Sequence, residues 1–383
     1  MYRTEDVRTA VGRLQQQLRD WLVAAAFPLW STNGCDAVRG GFHERLNERG
    51  EPLADSRRAR VQARQIYSFA LAPSFGWQGR SADLVAQGWR YFCERYRRLD
   101  GLFITLVDAN GEALDSRVLL YDQAFALLAL ASAQAIGSLP CDVRSQAKEL
   151  LGTIEVRFKR AEAGYETAIP ASRPLQSNPH MHLLEAALEW RQRDDAEIWP
   201  ALADSIGRLA QEKFMHRATL REYFDAEWRP QAGLSGRIVE PGHLFEWAGL
   251  LLRWNARALA VRQLALRLID TGEKYGVVDG FAVNALLDDC SVHDGCARLW
   301  PQAERLKAAA AAARVTGDEC YWKIARDAAT GLLQYLQTPL PGLWYDRRSE
   351  SGEFVAEPAP ASTLYHIVSA CAELRAATCR EPG

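Results

Sequence analysis

The sequence predicts an all-α toroid, an (α/α)6 barrel of about twelve helices with short β-hairpins on the odd-to-even links. Three observations lead there. Apolar residues recur at helical spacing from one end of the 383-residue chain to the other. The segments between them alternate between short turns and longer stretches with strand-like patterning. The resulting helix pair repeats about every 60 residues, with no Pro/Ser-rich linker or charge block dividing the series. Six such pairs can close on themselves instead of stacking as an open solenoid, which is the structural alternative.

The helical segments fall at 6–26, 57–74, 80–96, 118–135, 143–159, 180–193, 197–214, 242–255, 258–274, 299–315, 318–336 and 361–376. Short turns at 75–79, 193–195 and 316–318 follow even-numbered helices. Longer links at 40–53, 101–114, 164–175, 220–228, 276–288 and 342–355 follow every odd one. Two of them carry hairpin turn chemistry, Asn47-Glu48-Arg49-Gly50 and Asp108-Ala109-Asn110-Gly111, each flanked by apolar residues that can pair across a ladder. The length suits two ordinary domains or one large toroid, and the unbroken repeat favours a single domain over 1–383.

Composition narrows the function classes. With 48% hydrophobic and 25% charged residues the chain can bury a large core. Its net charge is −2 and its basic residues are scattered, so neither nucleic acid nor membrane is expected as a partner. No apolar run approaches the ~20 residues that span a bilayer. The segment 1–6 is polar, without the apolar core of a leader, and the expectation is a cytoplasmic protein. Eight cysteines without a CxxC pair read as reduced residues rather than a zinc or redox motif.

In such a barrel the even-numbered helices form a parallel inner ring whose amino-terminal ends share one mouth. Arg60 and Arg64, Tyr121-Asp122-Gln123, Asn178-Pro179-His180-Met181-His182, Glu240-Pro241-Gly242-His243, Trp300 to Glu304 and Ser362 to His366 occupy those ends. The first-turn placement is weakest for Arg64. Proline after Asn178 and after Glu240 is a strong helix-start signal. His182 with Glu185 and His243 with Glu246 are three residues apart, so each carboxylate can orient an imidazole on the same helix face. His180 points roughly 200° away from His182 and does not share a ligand with it. A helix amino terminus disfavours imidazolium while a glutamate favours it, a balance that leaves a base usable near neutral pH.

Taken singly, a histidine at a helix start is an ordinary structural residue; three at equivalent ends of inner helices are not. Arg64 reads equally as a buried carboxylate partner or as a donor to sugar hydroxyls. Trp300, Tyr121 and Trp247 suit the barrel core, although aromatic faces also suit a pyranose. The alanine run 308–313 marks tight helix packing, Arg57 and Arg58 read as solvated, and His43 and His293 as structural residues on links. Histidines and glutamates are metal ligands in principle, but no HExxH-like cluster appears, so no metal or cofactor is expected. A glycoside hydrolase on the same barrel would need two carboxylates, with Asp122 and Asp288 or Asp289 as candidates. A sugar-binding protein without catalysis is a further alternative.

These segments resemble the N-acylglucosamine 2-epimerase superfamily, which includes mannose isomerases, sulfoquinovose isomerase and cellobiose 2-epimerases. The resemblance spans nearly the whole chain and rests on Gly40-Gly41-Phe42, Ala63-Arg64-Gln65, Tyr121 to Phe125, Asn178 to Ala186, Glu240 to Trp247, Leu299 to Glu304 and Tyr365-His366. The two histidine-containing helix starts are its specific part. It implies an (α/α)6 barrel that moves a proton on an open-chain sugar through a cis-enediol(ate) without metal or nicotinamide. His243 and His366 match the acid/base pair. His182 matches a third histidine for ring opening or sugar holding, and Arg64 the arginine at the reacting carbonyl oxygen. Tyr121, Asn178, Met181, Arg237 and Glu246 match pocket residues, and Trp300 is taken as a further sugar contact. The His-Met-His segment and Tyr365-His366 resemble the mannose-isomerase and cellobiose-epimerase branches, which favours a neutral hexose. The stretch before Arg64 departs from the pattern: it is arginine-rich where a Trp-containing stretch is usual, which puts in doubt how the far end of the substrate is held.

Proton return to C1 yields a ketose and return to the opposite face of C2 yields the epimer. The expectation is therefore an aldose–ketose isomerase of the mannose-to-fructose type acting on a free hexose. A 2-epimerase of N-acylglucosamine, glucose/mannose or a disaccharide is the alternative. The partner is a small-molecule sugar, and the protein a monomer or homodimer.

Overall fold

The computed structural model describes residues 6–216 and 219–379. Most of the polar segment 1–6, residues 217–218 and the last four residues lie outside the described residues. The helices are α1 (Val7–Trp21), α2 (Phe27–Thr32), α3 (Ala59–Leu71), α4 (Ser81–Tyr96), α5 (Leu120–Ile136), α6 (Val143–Phe158), α7 (Asn178–Trp190), α8 (Ile198–Leu209), α9 (Pro241–Asn255), α10 (Leu259–Gly276), α11 (Leu299–Thr316), α12 (Glu319–Tyr335) and α13 (Ser362–Thr378). A π-helical turn, Leu22–Ala26, joins α1 to α2, so the first helical run continues past Pro28 to Thr32. Pro28 stands inside this continuous run, and the π-helical turn lies just before it, where the missing N–H would otherwise interrupt the ladder.

Burial sorts the helices into two layers. α5 and α11 are buried on every side along most of their length, whereas α4 and α12 keep an exposed polar face. In the inner layer α3 packs on α5, α5 on α7, α7 on α9, α9 on α11, α11 on α13, and α13 back on α3, which closes the ring. The outer helices α4, α6, α8, α10 and α12 each pack against the inner helix that precedes them, or α11 for α12, while α1 covers α12 and α13. The alanine run lies wholly buried in α11, and its small side chains let α9 come close: a Cβ on Gly249 would stand 3.8 Å from Ala308 Cα. No helix among the described residues is long and apolar enough to cross a membrane.

The links do more than turn back on themselves. Leu106–Val107 pairs with Ala113–Asp115 across the expected Asp-Ala-Asn-Gly turn. Yet a two-residue strand at or one residue before the start of each inner helix also pairs with a neighbouring link: Arg57–Arg58 with Leu106–Val107, Val118–Leu119 with Ala168–Ile169, and Leu175–Gln176 with Tyr223–Phe224. Ile238–Val239 pairs with Ala285–Leu287, Ala297–Arg298 with Arg347–Arg348, and Ala359–Pro360 returns to Arg45–Leu46. These short ladders form a collar that holds the amino-terminal ends of the inner helices level. Buried glutamines pin the collar to the ring: Gln62, Gln123 and Gln302 each accept from and donate to the backbone of the residue twenty positions earlier, Phe42, Phe103 and Ala282, at 2.8–2.9 Å.

Candidate active site

Inside the collar lies a cavity of about 200 Å³ lined by residues of all six inner helices or their caps. His182, His243 and His366 all face it, together with Arg64, Tyr121, Asn178, Glu246 and Trp300. Arg64 stands in the second turn of α3 rather than the first and still reaches the wall.

Each of the three imidazoles is held from behind by a carboxylate at Nδ1. His182 meets Glu185 at 3.2 Å, His243 meets Glu222 at 3.0 Å, and His366 meets Glu304 at 2.7 Å. A carboxylate accepts the Nδ1 proton, so Nε2 is the nitrogen left for a ligand. The carboxylates are themselves anchored. Tyr365 donates its hydroxyl to Glu185, Ser177 donates to Glu222 at 3.1 Å, and Lys307 Nζ lies 2.6 Å from Glu304. Trp300 spans the gap between two of the rings, its centroid 5.1 Å from His243 and 5.7 Å from His366.

The environments separate the histidines by charge. Burial would depress His243, but Glu222 and Glu240 outweigh it and raise its pKa to about 10. Burial dominates at His182, pulling it down to about 4 against the Glu185 bond. Burial, joined by Arg64 and Lys307, holds His366 well below the usual histidine range. At neutral pH the cavity therefore holds one imidazolium and two neutral imidazoles, an acid and two bases within one chamber. Glu246 is pushed up to about 8 by burial and then by Glu304, and its Oε1 has no hydrogen-bond partner. The Asn178 amide sits 3.2 Å from His243 Nε2. Its Nδ2–H donates to a neutral ring; turned over, its otherwise partnerless Oδ1 accepts from the imidazolium.

Of the two readings of Arg64, the structure bears on the carboxylate-partner one. The guanidinium is buried, donates to the Tyr121 hydroxyl at 2.7 Å and lies over the rings of Phe125 and Tyr365 at 4.4 and 5.1 Å. Among the described residues no carboxylate pairs with it, and its Nε is without a hydrogen-bond partner. A buried cation in that position is able to stabilise a developing oxyanion.

Two expected pocket residues stand elsewhere. Met181 is fully buried in the core and is not part of the cavity wall, since one residue along a helix turns a side chain about 100° away from the His182 face. Arg237 sits on a 3-10 turn outside the cavity, paired with Asp288 and Asp289 at 2.8 and 3.0 Å. Those pairs also occupy the acids considered for hydrolysis, and Asp122 is buried against Arg60 at 3.0 Å, so no carboxylate pair of that set faces the cavity. His180 is structural: its Nε2 accepts the Tyr165 N–H and its Nδ1 donates to Gln176 O, both at 3.0 Å. Arg57 and Arg58 correct the solvated reading. Arg57 is buried against Asp36, and Arg58 lines the cavity while paired with Glu44.

Sequence reasoning missed Glu222, Lys307 and Arg298. Glu222 lies on a link and reaches α9 only because Leu175–Gln176 and Tyr223–Phe224 pair beside it. Arg298 had a signal, its place two residues before Trp300 at the cap of an inner helix. Of four sets of side chains that could converge on an ion among the described residues, three lie around the cavity, His182–Glu185–Glu246, Glu222–Glu240–His243 and Glu246–Glu304–His366, and Asp294–Cys296–Glu350 is the fourth. One carboxylate in each of the three cavity sets already holds an imidazole Nδ1.

Residues 40–370 match the N-acylglucosamine 2-epimerase (GlcNAc 2-epimerase) family. The chain belongs to this family. It is a sugar isomerase or epimerase. A relative in Rhizobium meliloti (strain 1021), a mannose-6-phosphate isomerase, is 44% identical across 94% of this chain and 96% of its own. A D-mannose isomerase of Thermobifida fusca is 29% identical across 85% and 86%. The cellobiose 2-epimerase from Spirochaeta thermophila DSM 6192 shares the fold, with a TM-score of 0.86 at 19% identity over 98% of this chain and 99% of that one.

Proposed function

We propose that this epimerase-family member is an aldose–ketose isomerase acting on a mannose-configured hexose. The observation that carries the reading is the set of three imidazoles, each pinned at Nδ1 by a carboxylate, around a cavity that also holds the carboxylate-free Arg64. The relatives named for mannose and mannose 6-phosphate isomerisation support the choice of sugar and of outcome.

In this reading the open-chain aldose lies with its carbonyl oxygen toward Arg64 and the His243 imidazolium. Neutral His366 takes the C2 proton through Nε2, and the pair of cations stabilises the enediolate oxygen as charge moves onto it. The proton returns from His366 to C1 while the O2 proton passes to O1, which leaves a ketone at C2. His182, the other neutral base, serves ring opening or sugar holding, and Tyr121, Asn178, Glu246 and Trp300 position the hydroxyls. Delivery of a proton to the opposite face of C2 by His243 would give the epimer from the same enediolate, so 2-epimerisation is the second outcome this pair of histidines supports. The proposal includes one catalytic domain over 1–383, a cytoplasmic monomer or homodimer, and no metal or cofactor.

The test is proton exchange. EDTA-treated protein is incubated with mannose in heavy water and followed by NMR. The expected result is fructose carrying deuterium at C1. Absence of exchange with mannose, mannose 6-phosphate, glucose and N-acetylglucosamine alike would overturn the reading. Cleavage of a glycoside without exchange would replace it with hydrolysis.

A further inference from the structure

The rim of the cavity is built differently from its floor. In the inner ring α13 stands between α3 and α11. The N-cap residues of those two flanking helices are both arginines, Arg58 and Arg298, and both line the cavity on either side of the start of α13. Ser362, the first residue of α13, lines the cavity between them, is 8% exposed, and its hydroxyl has no hydrogen-bond partner among the described residues. It stands four residues before His366, one turn and ~6 Å of axial rise nearer the mouth.

The counter-charges leave room for a ligand. Arg298 reaches Asp346 only at 3.4 Å, well beyond the usual length of a charge-assisted bond, and the side chain is 45% exposed. Asp346 is meanwhile the acceptor for Thr363 Oγ at 2.8 Å, and Glu240 is the other carboxyl in the field of Arg298. Arg58 is paired through Nε and Nη2 with Glu44, which carries its counter-charge, while its side chain stays 41% exposed. Arg60, the next arginine inward, is neutralised by Asp122 at 3.0 Å. One loosely paired guanidinium, a second that is half exposed though held by Glu44, an unpartnered hydroxyl and the positive end of a 17-residue helix thus face one point at the mouth.

The geometry points to a phosphate-monoester subsite formed by Arg58, Arg298 and Ser362, so that the substrate of the proposed isomerase is a hexose phosphorylated at the carbon remote from its carbonyl. A phosphate monoester offers three acceptor oxygens and close to two negative charges at neutral pH, which matches donors arriving from three helices. The sugar then runs from the rim to the floor, its reacting end at Arg64 and His366 and its esterified end one turn above. This inference rests on the isomerase reading for the sugar's direction, but its first test does not depend on turnover.

Binding of mannitol 6-phosphate and of mannitol, neither of which has a carbonyl to isomerise, is measured by calorimetry at low salt, where rim charges are least screened. The expected result is tighter binding of the phosphate by roughly tenfold or more, the effect of one charge-assisted bond. Arg298→Ala and Arg58→Ala each reduce that advantage, Arg298→Lys retains part of it, and Ser362→Ala lowers it less. Equal affinity for the two polyols, or an advantage untouched by all the substitutions, overturns the subsite. The second arm compares kcat/KM for mannose 6-phosphate and mannose: a higher value for the phosphate supports the assignment, and turnover of mannose alone overturns it. Exchange on mannose with no phosphate advantage sinks the subsite and leaves the isomerase standing; phosphate-selective binding with no exchange on any sugar does the reverse.

Discussion

Replacing Lys307 by methionine separates charge from packing at the floor of the site, since the thioether chain follows the length of the lysine stem. Lys307 Nζ lies 2.6 Å from Glu304, with side-chain exposures of 8% and 0%, and Glu304 in turn holds His366 Nδ1 at 2.7 Å. Removing one partner of such a buried pair costs about 3–5 kcal/mol, because the other is left as an uncompensated charge. Glu304 can escape that cost by taking a proton. Burial already raises its pKa, and Lys307 is the main influence opposing the rise. Without the ammonium the folded-state pKa climbs further above the unfolded value of about 4.3. The native variant then binds a proton that the unfolded chain releases, so its stability falls as pH rises. Relative to wild type the deficit is small near pH 5 and grows by at most about 1.4 kcal/mol per pH unit toward pH 8. Urea unfolding at those two pH values measures it, and kcat falls relative to wild type most at the lower pH, where Glu304 is protonated and loses its hold on His366. An equal deficit at both would mean that Lys307 only fills space, and would refute this electrostatic account.

Glu222→Gln removes the largest influence raising His243. In wild type that raised pKa contributes stability present in full below about pH 6.5 and lost as pH climbs through about 10. The substitution narrows this window, so the variant is less stable at neutral pH, loses less on going to pH 10, and shows a His243 NMR titration displaced downward; an unmoved titration rules out Glu222 as the cause. Gln123→Leu strips the backbone N–H and C=O of Phe103 of their partner. At about 1–3 kcal/mol for each orphaned buried group, the thermal midpoint drops with little change in the histidine titrations, and a change within about 0.5 kcal/mol would show the clamp to be dispensable.

Much of the architecture was legible because helical periodicity and turn chemistry are local. The alanine run of α11, the proline starts of α7 and α9, and the Asp108 to Gly111 turn all report on their own neighbourhoods. His182, His243 and His366 could be placed at one mouth because a closed ring of parallel helices leaves them nowhere else to go. Met181 and Arg237 could not be sorted the same way, since one residue along α7 turns a side chain from cavity to core and a short turn can carry an arginine outside the wall.

Periodicity, caps and glycine turns are properties of a few adjacent residues, and they suffice to specify twelve helical units, their alternation and the histidine-bearing ends. The charge state of those histidines depends on contacts between residues far apart in the chain. Glu222 meets His243, and Lys307 meets Glu304 behind His366, only after the ring closes. Burial then removes water from every one of these groups at once, and electrostatics in that medium depends on which charges have become neighbours.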